Sequence, residues 1–163
     1  MNIFILDKDP KISAKMMVDK HIVKMPLESM QMISTCLRLR GFDAPYRSAF
    51  MYHPCTIWAR ESSQNMAWLV EHFKALCEEY TLRYGKTHRC EIVFSQYASE
   101  VDALIDYLPD KGLTPFAQAM PEPYQNDDVV KAYRTYYVNG KNHIADWKTE
   151  VPEWWNDELY KMC

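Results

Sequence analysis

His21, Lys24, Glu28, Gln31 and Thr35 recur at spacings of three and four residues, the period of one face of an α-helix. Such a face sets an imidazole, an ammonium and a carboxylate in line. A carboxylate so placed can act as a general base or stabilise a developing cation. Ile22, Val23, Met25, Leu27, Met30, Met32, Ile33, Leu37 and Leu39 surround the polar stripe. A helix apolar on most of its surface is expected to be buried, so its ionisable groups must be paired, solvated in a cleft, or used. The competing reading is a solvated Lys24–Glu28 pair at i,i+4, worth little.

Four other clusters invite a chemical reading. His53 opens a helix at His53-Pro54-Cys55, where free N–H groups favour an anion. Arg60 and His53 are candidates to hold a phosphate there. Arg83-Tyr84-Gly85-Lys86-Thr87-His88-Arg89 is a compact basic turn, making Lys86 and His88 further phosphate candidates, although cations also suit the negative end of a helix. His53-x-Cys55 and His88-x-Cys90 are not a usual zinc spacing, so neither a metal nor any other cofactor is expected. The segment Tyr133, Arg134, Tyr136, Tyr137, Lys141, His143, Trp147 and Lys148 interleaves rings with cations. It suits base stacking and phosphate contact, with Arg134 the phosphate candidate, but Tyr133 and Tyr137 at i,i+4 also suit a helical core.

Helices must position these groups. Asp9-Pro10 starts a helix expected to reach about Lys24, with Pro26 kinking or restarting it and Gly41 ending the second half after Arg40. A long helix is expected from Pro54 to about Tyr84, with Ile57, Met66, Leu69, Phe73, Leu76 and Tyr80 on its apolar stripe. A shorter one covers Tyr97 to Leu108 with Ser95 as its cap. Residues 109–126 hold four prolines and form a loop whose length suggests function. Asn126 caps a last helix over Asp127–Val138. Residues 2–6 are a short strand or an extended arm. The expectation is one all-α domain over 1–163, a bundle of about four to five helices.

The chain has 163 residues, 48% of them hydrophobic, and a net charge of −3. That charge weighs against nonspecific DNA affinity without excluding a local basic patch. No run of about 18 apolar residues exists to span a membrane. Five cysteines without close pairing, and no basic leader, point to reduced thiols in a cytoplasm. Oligomeric state is not legible.

Two resemblances add to this reading. MNIFILDKDP, DKHIVKMPLE, HPCTIWARES, RYGKTH, TPFAQAMP and AYRTYY resemble a family of small phage-encoded proteins, which implies the cytoplasm of a host cell but no activity. Asp19-Lys20-His21-Ile22, with Glu28 seven residues after the histidine, is similar to the first helix of pyrimidine-dimer DNA glycosylases of the endonuclease V type. In that family a D-x-H-L run precedes the catalytic glutamate at this spacing. Tyr136-Tyr137 and Gly140-Lys141 also look like its closing features. The resemblance implies a compact helical fold, a catalytic role for Glu28, and a terminal α-amine that attacks C1′ of the damaged nucleotide through a Schiff base. This chain departs from the family at Met1-Asn2, where the family has a small first residue. It departs again at Leu27 and Gln31, where the family has arginines beside the glutamate. The expected function is an N-glycosylase-like hydrolase on a nucleobase–sugar bond in DNA or a free nucleotide. Glu28 is then the catalytic carboxylate, tuned by His21 and Lys24. The alternative is a non-enzymatic phage accessory protein that binds a host protein or a small nucleotide ligand.

Overall fold

The computed structural model describes residues 1–162 and contains seven α-helices and no strand among them. They are α1 (Pro10–Met16), α2 (Asp19–Leu39), α3 (Pro54–Glu61), α4 (Ser63–Tyr84), α5 (Arg89–Ser95), α6 (Ala98–Tyr107) and α7 (Val129–Gly140). The all-α expectation holds, but the helix number exceeds four to five because two expected long helices are each divided and α5 is an additional helix. No helix is long and apolar enough to cross a membrane among the described residues.

The first division falls at Met17-Val18, not at Pro26. Both residues are extended and fully buried, so α2 begins anew at Asp19. Pro26 lies inside α2, where it removes one backbone donor and crowds the preceding turn. His88 meets the disturbed turn from outside, its Nε2 donating to Val23 O at 2.9 Å. The second division is Ser62, whose backbone is extended and whose Oγ accepts from Asn65 N. It ends α3 and caps α4 in one residue. Sequence periodicity also passed over α5, which His88 starts as N-cap. Ser95 belongs to the end of α5 and does not cap α6. Asp128, not Asn126, caps α7, accepting from Val130 N and Lys131 N.

α4 is the central element, packed against α1, α2, α3 and α6. Met66, Leu69, Phe73 and Leu76 bury its inner face, whereas Ile57 on α3 stays partly exposed. Residues 2–6 form an arm, with Ile3, Phe4, Ile5 and Leu6 all buried. An unpaired arm leaves backbone polar groups to satisfy, and side chains supply the partners. Ser13 Oγ accepts from Leu6 N and donates to Phe4 O, and Arg134 Nε donates to Leu6 O. The proline-rich loop is laced to the start of α4, for example through Asn65 and Thr114.

His72 on α4 is fully buried, stacked on Trp68, with Nδ1 3.0 Å from Pro10 O and no partner for Nε2. Burial pushes its pKa down to about 4. His21 behaves alike, falling to about 3 through burial and then the positive charges of Lys141 and Lys24. The unfolded chain protonates these histidines near pH 6.5 while the native state refuses the proton. The unfolded state therefore binds more protons below pH 6.5, and stability falls as the medium is acidified toward the native values. Between pH 7 and pH 5 the two histidines together remove on the order of 3 kcal/mol. Urea unfolding at the two pH values should show this loss, and His72→Gln should remove about half of it; a flat wild-type profile would contradict the assignment.

Candidate active site

α2 buries Ile22, Met25, Met30, Met32, Ile33 and Leu37 as its greasy appearance suggests, and buries part of its polar stripe as well. Val23 and Leu27 are exposed, whereas Asp19, His21 and Glu28 are buried. The first part of the polar stripe, His21 to Glu28, borders a cleft because the N-terminal arm, α3, the proline-rich loop and the end of α7 meet along it. They enclose a cleft of about 450 Å³ whose walls include Met1, Asn2, Phe4, His21, Lys24, Glu28, His53, Gln118, Tyr136 and Lys141.

Glu28 is the hub of this cleft. Its Oε1 accepts from Asn2 N at 3.0 Å and lies 3.4 Å from the α-amine of Met1. Its Oε2 is 3.6 Å from Lys24 Nζ. The two cations differ in kind: the Lys24 side chain is 70% exposed, so its attraction is solvent-screened, whereas the amine is held within the arm. Met1 is anchored by Thr56 Oγ1, which donates to its Sδ. Asn2 fixes the next step of the chain. Its Oδ1 accepts from Ile3 N and Phe4 N, and its Nδ2 donates to Ala119 O. The Tyr133 hydroxyl has Asn2 Oδ1 and Ala117 O as acceptors, both at 2.9 Å.

His21 is held as a neutral ring. Tyr137 Oη accepts from Val18 N and, among the described residues, has only His21 Nδ1, 2.6 Å away, to take its own proton, which assigns that proton to the His21 contact. That leaves the ring proton on Nε2. Phe4 stacks on His21 with centroids 4.3 Å apart. Phe4 carries a φ of +59°, an unfavourable region for a bulky residue. The buried hydrogen bonds of the arm impose it, and the strain sets the ring into the cleft wall. Tyr136 is also stacked with Phe4, the centroids 6.1 Å apart, and Tyr124 lies against Tyr136. Lys141 Nζ lies 5.9 Å from the Phe4 centroid and 5.3 Å from that of Tyr136, within cation–π range. Gly140 makes room for this wall, since a Cβ there would stand 2.8 Å from the Tyr136 ring.

The structure thus brings His21, Lys24, Glu28 and His53 together. His53 Nδ1 accepts from Cys55 N, capping α3, and burial followed by the nearby amine lowers the pKa of the ring. The other sequence candidates lie elsewhere. Arg60 Nη1 donates to Met51 O at 2.6 Å. Arg134 donates to Leu6 O and Tyr160 Oη, approaches Asp7, and sits over Trp154. Lys86 is exposed in the turn after α4, and His88 caps α5 through Cys90 N. The two H-x-C pairs are therefore one device used twice, a histidine Nδ1 capping a helix. Among the described residues no three His, Cys, Asp or Glu side chains gather as metal ligands would. Burial lifts the Cys36 and Cys55 thiols to about 12, so Cys55, although close to the arm, is no nucleophile.

Sequence reasoning passed over Asn2, Phe4 and Gln118, and placed Tyr136 and Lys141 in a segment weighed toward core. The α7 aromatics divide. Tyr133 and Tyr137 are fully buried, while Tyr136, one step round the helix, lines the cleft. The i,i+4 pair was the signal for core, and the odd residue between was the signal for the site.

A family model described as pyrimidine dimer DNA glycosylase matches residues 1–92. The match holds the arm, α1 to α4 and every α2 residue of the cleft, and stops before Tyr136 and Lys141. No curated protein and no solved structure matches the chain.

Proposed function

We propose, on the premise that this chain belongs to the pyrimidine dimer DNA glycosylase family, that it cleaves the bond between base and sugar of a dimerised pyrimidine in DNA. Glu28 is the catalytic carboxylate. The observation that carries the reading is the Met1 amine 3.4 Å from Glu28 Oε1 at the wall of a cleft. A nucleophile and a base within reach of one another, both facing a cavity, make up the core of a covalent mechanism.

The amine, having given one proton to Glu28, attacks C1′ with its lone pair. The C1′–N bond to the pyrimidine breaks, and the base leaves with that electron pair and takes up the proton that Glu28 accepted, which returns Glu28 to its carboxylate form. The amine, now bonded to C1′, loses its remaining extra proton, and opening of the sugar ring gives the imine. Water then hydrolyses the imine and restores the amine. During the departure positive charge grows on the sugar, and the Glu28 carboxylate stabilises it. His21, neutral, offers a fixed Nε2–H donor and no acid. Lys141 and Lys24 supply positive charge for the flanking phosphates, a task for which the sequence had nominated Arg60 and Arg134. The cleft accepts a nucleotide only if it leaves the helical stack.

Borohydride tests the amine directly. With a duplex containing a thymine dimer, reduction during turnover should link protein and DNA covalently, with the bond at Met1 located by peptide mass. Base release without any trapped adduct would replace the amine by a Glu28-activated water, and no base release at all would remove the glycosylase reading.

A further inference from the structure

Thr35 closes the polar stripe of α2 but lies outside the cleft, and Arg60 was expected at a phosphate. Both hold one turn. Thr35 Oγ1 accepts from Ala49 N at 3.0 Å, with Ala49 O 3.2 Å away. Arg60 Nη1 grips Met51 O at 2.6 Å. His53 N donates to Phe50 O, closing the turn Phe50–His53. Between these clamps Phe50 has a φ of +50° and is 68% exposed; Tyr52 is 79% exposed. A rigid turn that holds a phenylalanine in the left-handed region and points its ring at water is costly twice over, once in backbone strain and once in apolar exposure. Glycine or asparagine would fit the turn at lower cost. The turn leads directly into His53 and Pro54, which line the cleft.

Charge identifies the occupant. Between Asp43 and Glu61 the segment carries no carboxylate. Arg47 is exposed three residues before Phe50. An exposed ring in a carboxylate-free turn that also carries exposed Arg47, leading into residues of the cleft, fits a polyanion with stacked apolar planes inside it.

We propose that Phe50 is a wedge for duplex DNA, inserting between base pairs next to the nucleotide that enters the cleft, with Tyr52 against the same strand. The inference rests on the glycosylase reading for what enters the cleft, but wedge insertion is measured separately from chemistry. Intercalating side chains partly unstack a base step and kink the duplex, which lowers the cost of extruding the target base.

The test uses a duplex with a thymine dimer and a neighbouring 2-aminopurine, whose fluorescence rises on unstacking. Saturating wild type should raise the signal. Phe50→Asn, which keeps the left-handed turn but loses the ring, should abolish most of the rise and weaken binding about tenfold with Tm unchanged. Phe50→Leu should restore part of the rise. Wild-type behaviour from Phe50→Asn, or no rise with wild type, overturns the wedge. If base release persists while the rise ignores Phe50, the wedge fails and the glycosylase stands. If the rise depends on Phe50 while wild type releases no base, the wedge stands and the glycosylase fails.

Discussion

Glu28→Gln should lower the rate of base release by about 10³-fold, in the range expected for a positioned general base and charge stabiliser. The substitution is close to isosteric. The amide oxygen still accepts from Asn2 N, the 3.0 Å contact that seats the arm, so the cleft keeps its shape. What disappears is the charge: the amine 3.4 Å away has no carboxylate to take its proton, and the sugar cation has no counter-ion. Binding of the thymine-dimer duplex should change little, so the loss falls on kcat. Lys24→Met is the internal contrast. Lys24 is exposed and pairs with the same carboxylate, and its screened contribution predicts a change below about fivefold. Rapid-quench measurement of released base separates the two. A Glu28→Gln enzyme within tenfold of wild type would remove the carboxylate from the mechanism.

The contrast between Glu28 and Lys24 also marks where the sequence was readable. The spacing of His21, Lys24 and Glu28 is local, and a helix converts it into a shared face without help from the rest of the chain. Whether that face is inside or outside is not local. Val23 and Leu27 are exposed and Glu28 is buried because an arm from the start of the chain and a loop from beyond residue 110 cover the polar side. The same limit explains the helix boundaries. Ser62 and Met17-Val18 break helices whose apolar period runs on past them, since periodicity registers the face and not a single extended residue. Arg60 and Arg134 show a further limit. A cation at a helix start, or one interleaved with aromatic rings, suggests an anion, yet in both cases the guanidinium found backbone carbonyls, Met51 O and Leu6 O. A guanidinium has five donors, and an irregular arm or turn has carbonyls with no ladder to join.

Arg83→Met should cost the fold about 3–5 kcal/mol, the penalty for stranding buried carboxylates. Arg83 was legible only as part of a basic turn; its side chain is in fact fully buried. Nη1 donates to Met17 O at 2.7 Å and to Asp19 Oδ1 at 3.1 Å, Nη2 to Lys15 O, and Nε to Glu79 Oε1 at 3.0 Å. One guanidinium thus satisfies the end of α1, the break at Met17 and the first residue of α2. The start of α2 depends on it, because its N-cap Val18 has no side chain to offer. Asp19 is further tied by Lys148 N. With methionine at position 83, the carboxylates of Asp19 and Glu79 remain buried without a cation. Against a total stability of roughly 5–15 kcal/mol this is a large fraction, and equilibrium urea unfolding will resolve it. Arg83→Met with Glu79→Leu should recover part of the loss, since one stranded charge is gone and the remaining groups pack. The effect reaches the site because Asp19 lies two residues before His21: any variant that remains folded should lose the Tyr137–His21 contact before the Glu28 contacts. That order is visible as a rise in the His21 pKa by NMR titration. A cost below about 1 kcal/mol, the value of an exposed pair, would show that the cluster does not fix the start of α2.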